Sequence, residues 1–120
     1  MGCYAWGMGT DWSDYEGGAT LGGMGSQGGT IVRDEGFRDL LRLTYEADDS
    51  RSFHVVTCGI SGWLSHPRFF DNAPDALHAY ESMKPALEEL GATLPEGGPK
   101  SPADGRAAGP LLAAFRARFS

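Results

Sequence analysis

Through residues 38–46 Leu41, Leu43 and Tyr45 alternate with Leu40, Arg42, Thr44 and Glu46, a partial period of two. A period of two is what a strand with one buried face imposes. Phe37, Leu40, Leu41 and Tyr45 also share one helical face, so helix is the competing assignment for this stretch. Residues 48–52, Asp-Asp-Ser-Arg-Ser, read as a turn because short Asp and Ser side chains bond to nearby backbone groups. The next run, residues 53–64, places His54, Val56, Cys58, Ile60, Gly62 and Leu64 on one face and Phe53, Val55, Thr57, Gly59, Ser61 and Trp63 on the other. Both faces can be covered, as in a central strand. The β-favouring run Thr30-Ile31-Val32-Arg33 precedes this hairpin, and residues 66–70, His-Pro-Arg-Phe-Phe, read as a strand exit.

The period then changes from two to between three and four. Leu77, Tyr80, Met83, Leu87 and Leu90 make one helical stripe. Asp71 or Asn72 caps its start, Pro74 suits the first turn, and Gly91 ends it. Pro85 removes one backbone hydrogen bond and predicts a bend near Met83 and Lys84. These elements predict an α+β fold: a small three-stranded antiparallel sheet between residues 29 and 70, covered by one main helix over 74–91. Four segments follow: an arm at 1–28 rich in Gly and aromatics, a β-β-β-α core domain at 29–94, a Pro/Gly linker at 95–109, and a short amphipathic helix at 110–120 that presents Leu111 or Leu112, Phe115 and Phe119 on one side. A helix of about ten residues does not persist alone in water, so this one has to dock.

Composition sharpens the arm. Ten of the 18 glycines fall in residues 1–30, among Tyr4, Trp6, Trp12 and Tyr15. Glycine opposes regular structure, while four aromatic rings are costly to leave in water. An irregular but ordered arm is expected. Gly23-Met24-Gly25-Ser26-Gln27-Gly28 fits the pattern G-x-G-x-x-G, but a β-favouring run follows it where a dinucleotide site needs a helix. It is read as a lead-in to the first strand. The opening Met-Gly-Cys lacks the Ser or Thr at position six that N-myristoylation needs; Trp6 stands there.

Charge is divided unevenly. The formal net charge is −6, made of −9 over residues 1–99 and +3 over residues 100–120. An acidic body repels phosphate, so nucleic acid and anionic lipid are disfavoured and a basic protein partner is favoured. No stretch approaches the ~20 apolar residues of a membrane span, and no secretory leader opens the chain. A cytoplasmic protein with its two cysteines as free thiols is expected.

Candidate chemistry centres on Cys58. On an extended strand His54 lies ~13 Å away, beyond the hydrogen-bond reach a thiol and its base require. His66 comes nearer only if the chain reverses at Gly59 or Gly62. Cysteine is often buried, so a core thiol is the primary reading and a Cys58–His66 dyad the alternative. Metal-ligand spacing is missing among Cys58, His54, His66 and His78, and no cofactor or metal is expected. The functional expectation is a non-catalytic, acidic, cytoplasmic protein acting through protein–protein interaction, as an inhibitor or immunity-like protein or as a small assembly subunit, with a protein partner or self-association. Trp6, Trp12, Arg68, Phe115 and Phe119 are the partner-binding candidates. The alternative is a small thiol-dependent enzyme or ligand-binding protein using Cys58 with His66.

Overall fold

A computed structural model describes residues 12–38, 40–48, 53–95 and 97–119. Its α+β fold is an antiparallel meander of five strands and two helices. In chain order the elements are β1 (Ser13–Asp14), β2 (Thr30–Phe37), β3 (Leu41–Ala47), β4 (His54–Ile60), β5 (Leu64–Phe70), α1 (Ala73–Ala92) and α2 (Pro102–Arg118). Each strand pairs with the next.

The expectation of a three-stranded sheet under one main helix is therefore corrected to five strands and two helices. The run expected as one strand over 53–64 is two, because Gly62 adopts φ +81° and turns the chain between Ile60 and Leu64. A left-handed φ is accessible to glycine at little cost, and this is what splits the apolar run. Residues 64–70 then pair along the whole length of β4, from Ile60↔Leu64 to His54↔Phe70. The other added strand, β1, lies in the arm and pairs Ser13 with Gly36 and Asp14 with Glu35. Arg38 and Leu40 lie in a turn and Leu41–Ala47 form β3, so strand wins over helix there.

The second correction concerns the C-terminal helix, which spans 17 residues and begins at Pro102, well before Pro110. Its start is capped by Ser101, whose hydroxyl accepts from the Asp104 amide at 3.3 Å, while the Asp104 carboxylate accepts from the Lys100 amide at 2.9 Å. That reciprocal cap, with Pro102 in the first turn, carries a helix through residues that have little to bury. Helix α1 follows its expected bounds closely, with the Asn72 side chain accepting from the Asp75 amide at 2.8 Å.

Both helices lie on the same face of the sheet. Leu41, Leu43 and Tyr45 of β3, Val56, Cys58 and Ile60 of β4 and Leu64 of β5 meet Ala76, Tyr80, Met83, Leu87 and Leu90 of α1 and Phe115 and Phe119 at the end of α2 in one core. On the outer side of β2 the turn after β1 is held by Gly22 N–H to Ile31 O at 2.9 Å and Ile31 N–H to Gly23 O at 2.9 Å. The opposite edge, β5, carries Pro67 in mid-strand, a residue edge strands tolerate because it has no N–H to leave unpaired. Among the described residues no helix is long and apolar enough to cross a membrane.

Candidate functional site

The register assigns the paired strand residues to faces, and the face away from the helices carries Asp34, Arg42, Thr44, Glu46 and Thr57 beside Ile31, Val55 and Phe69. Ser13, Gly36, Arg42, Gly59 and Ser65 form one row across the five strands. Asp34, Thr44, Thr57 and Pro67 form the next, and Ile31, Glu46, Val55 and Phe69 the one after. Because four of the five residues in the first row are Gly or Ser, that row is a trough with one long side chain standing in it.

That side chain, Arg42, is fixed on two sides. Asp34, fully buried, accepts from Arg42 Nε at 2.9 Å and from Nη2 at 2.6 Å. Asp34 also accepts from Thr44 Oγ1 at 3.1 Å and Thr20 Oγ1 at 2.8 Å. Tyr15 lies over the guanidinium, 3.8 Å from ring centroid to Cζ. The hydrogen bonds to Asp34 chiefly, opposed by burial and helped by the charges of Asp34, Tyr15 and Glu16, raise the Arg42 pKa further above its ordinary value. A bidentate, stacked guanidinium loses little freedom when it meets a further acceptor.

A groove of about 720 Å³ surrounds this stack, bordered by Ser13, Asp14, Glu16, Arg38, Ser61 and Ser65 among others. Asp14 and Glu16 are exposed at its rim and make no ion pair among the described residues, while Asp34 offsets Arg42. Glu16 stands at φ +49°, the first of three successive left-handed residues with Gly17 and Gly18, which turns its carboxylate outward at the bend after β1.

Next to the groove, sharing Arg42, Gly59 and Ser65, is a hollow of about 250 Å³ bordered by Met24, Ser26, Thr44 and Thr57. Glu46, completely closed to water, lies under the glycine-rich segment and not among the residues that line the hollow. Its Oε1 accepts from the Gln27 amide at 3.0 Å and the Gly29 amide at 2.9 Å. The glycine-rich segment thus wraps an anion after all, but the anion is the chain's own carboxylate. Gly25 has no room for a side chain, since a Cβ there would overlap Glu46 Oε2.

The residues singled out from sequence lie elsewhere. Cys58 is a free thiol, fully buried on the helix face, and donates to the His66 carbonyl at 3.6 Å. Burial pushes its thiol up to about 12, with small opposing contributions from its backbone hydrogen bond and the charge of Arg116. The reversal at Gly62 does make Cys58 and His66 cross-strand neighbours, but the His66 ring nitrogen Nε2 pairs with the Phe119 carbonyl at 3.0 Å. Trp12 is buried against Phe37, with Nε1 donating to Glu88 at 3.0 Å. Phe115 and Phe119 are buried against each other in the core. Arg68 stacks on Phe70, 4.9 Å from Cζ to the ring centroid. Trp6 and Cys3 lie outside the described residues. Sequence reasoning missed Tyr15, Asp34, Arg42, Glu46 and Thr57. The polar half of the alternation in β3 was the available signal for Arg42 and Glu46, while their partners depend on register.

Among the described residues no group of three or more His, Cys, Asp or Glu is placed to hold a metal ion. Comparison with family models, with curated proteins and with solved structures finds no match to this chain. The site is therefore interpreted from its own geometry.

Proposed function

We propose that this chain is a non-catalytic acidic interaction protein, of the inhibitor or assembly-subunit kind, and that the polar face of its sheet receives a basic protein partner. The observation that carries the reading is the Tyr15–Arg42 stack, pinned by Asp34 in the middle of a row otherwise free of long side chains and rimmed by the exposed carboxylates of Asp14 and Glu16. Tyr and Arg are enriched where interfaces concentrate their binding energy. Small-molecule sites, by contrast, are enclosed and mostly apolar, and this groove is open and mixed, with Leu40, Leu41, Ile60 and Leu64 beside its polar residues. The acidic body supplies long-range attraction for a basic surface, and the groove supplies the local fit. The thiol reading finds less support, because Cys58 spends its single donor on a carbonyl inside the core.

The test is affinity capture from the native host with the intact chain and two charge-reversed variants. The wild type is expected to retain a basic protein in a complex that weakens as salt rises. The double variant Asp14→Lys, Glu16→Lys should lose it, whereas Glu89→Lys on the exposed face of α1 should keep it. Equal retention by all three would overturn the assignment of the groove.

A further inference from the structure

We infer that the free N–H groups of the Arg42 guanidinium receive a main-chain carbonyl of the partner, on an extended segment that crosses the groove above Gly59. The inference rests on the reading of the groove as a partner site and adds which atoms the partner meets there. A guanidinium carries five N–H donors. Asp34 takes one on Nε and one on Nη2, at 2.9 and 2.6 Å, which leaves three, on Nη1 and Nη2. Among the described residues no acceptor meets Nη1. The side chain is 41% exposed and borders both the groove and the hollow beside it. Held by Asp34 and stacked under Tyr15, the guanidinium is already in place for a guest and has little freedom left to lose.

Gly59 shows where the guest lies. It is the cross-strand neighbour of Arg42 on one side and of Ser65 on the other, and it lines both the groove and the hollow. Glycine weakens a strand interior, and one without a local reason marks a place where another backbone comes close. Gly59 has no such local reason. Its φ is not left-handed, and a Cβ there would meet only the Leu64 and Arg42 carbonyl oxygens, at 3.5 and 4.0 Å. On the other side of Arg42 the space is taken, since a Cβ on Gly36 would lie 3.4 Å from the Tyr15 ring. The open side is therefore that of Gly59, with the exposed Ser65 beyond it. Charge decides the acceptor. Asp34 already offsets Arg42, and Asp14 and Glu16 at the rim would repel a second carboxylate. A neutral carbonyl takes the N–H donors without that repulsion, while a basic side chain on the same segment answers the rim. Among the described residues the two non-glycine residues with left-handed φ, Glu16 at +49° and Arg38 at +56°, both line this groove. Such angles are uncommon outside glycine and gather where a chain binds or reacts.

The experiment uses the full chain labelled with ¹⁵N and three probes: acetyl-Gly-Lys-Gly-amide, acetyl-Gly-Glu-Gly-amide, and butylammonium chloride, which is a lysine side chain without a main chain. The lysine peptide is expected to move the Gly59 and Ser65 amide signals and the Arg42 Nε–H signal saturably, with a Kd on the order of 1 mM. Butylammonium should move the signals of Asp14 and Glu16 alone, and the glutamate peptide should bind roughly tenfold more weakly than the lysine peptide. Gly59→Val should weaken the lysine peptide by about tenfold by filling the space above the strand. Its thermal midpoint should not fall, because valine suits a strand better than glycine. Gly59→Ala keeps the test readable if valine is too large. Arg42→Lys should weaken the peptide by a similar factor, since an ammonium cannot hold Asp34 side-on and present further N–H groups in a plane. A fall in the midpoint of both Gly59 variants would show that folding itself needs glycine there and would overturn the inference, as would undiminished affinity in Gly59→Val. Tighter binding of the glutamate peptide would overturn it in favour of a carboxylate, and equal shifts at Gly59 from butylammonium in favour of an amine. Lysine-peptide shifts confined to Asp14 and Glu16 would sink the Arg42 contact and leave the groove standing. Shifts at Gly59 and Arg42 together with unchanged capture by the rim variants would do the reverse.

Discussion

The two faces of the sheet are made of the same five strands and solve opposite problems. On the helix face Leu43, Val56, Cys58, Tyr80, Met83 and Leu87 are all closed to water. Its polar atoms are matched: Tyr80 Oη donates to Glu35 at 2.7 Å, and Tyr45 Oη and His54 Nδ1 are 2.7 Å apart. On the other face Asp34, Thr44 and Glu46 are buried although polar, and both orphaned atoms lie there. Buried polar side chains there are held largely by backbone amides and hydroxyls, and their near-complete satisfaction is what an interior demands. The difference separates where the fold gets its stability from where it keeps its chemistry.

The largest expected effect lies on the helix face. Leu87→Ala should cost about 2–5 kcal/mol in chemical denaturation, because it opens a cavity in a fully buried stripe. A loss below about 1 kcal/mol would mean that α1 is not the main cover of the sheet. On the polar face Asp34→Ala should cost about 1–3 kcal/mol by leaving Thr44, Thr20 and Arg42 without their acceptor, with the Arg42 share reduced by its partial exposure. It should also release Arg42 from Tyr15, which tyrosine fluorescence would report.

Alkali should act through the helix face. The Cys58 thiol is raised from an ordinary 9.0 to about 12 by burial, so the folded state holds a proton that the unfolded state releases first. The stabilising contribution is complete below pH 9.0 and is lost as pH climbs toward about 12, at ~1.4 kcal/mol per pH unit. Cys58→Ala should flatten that decline relative to wild type, and the wild-type thiol should resist alkylation at neutral pH until the chain unfolds. The smallest effect should have the opposite sign. Thr57→Val replaces an orphaned hydroxyl with a methyl of similar shape and should raise stability by up to ~1 kcal/mol. A measurable loss would show that the hydroxyl is not orphaned, and the contrast between the faces would fail there.

Element types were legible where side-chain periodicity was strong. The stripe from Leu77 to Leu90 gave α1 and the face it buries, and the alternation of Leu41, Leu43 and Tyr45 gave β3. The β4–β5 turn was harder, because Ile60, Trp63 and Leu64 read as one apolar run and only the backbone angle at Gly62 divides it. The cap Ser101-Pro102-Ala103-Asp104 was present in the sequence, but the glycines and prolines around it have a linker's composition, and local capping prevailed over composition. The groove was the least legible part. Arg42 and Asp34 lie eight residues apart on neighbouring strands and Tyr15 lies well before both; each is ordinary singly, and they converge only once register and the bend after β1 are set. Cys58 and His66, conspicuous in sequence, became adjacent and were spent on backbone carbonyls.

The turn that divides β4 from β5 also has a neighbour. A side-chain carbon on Gly62 would overlap the backbone of Gly97, and one on Gly98 would come within 3.0 Å of the Gly62 carbonyl oxygen. All three have left-handed φ, at +81°, +83° and +110°. The β4–β5 turn and the connection into α2 are thus pressed together main chain to main chain, like two bare links of a clasp. Descendants of this sequence that keep the C-terminal helix where it is should drift freely along most of residues 95–101 and yet hold glycine at 62 and 98. A lineage that dropped the helix would free position 62 from its neighbour, leaving only the turn's own backbone angle to hold glycine there.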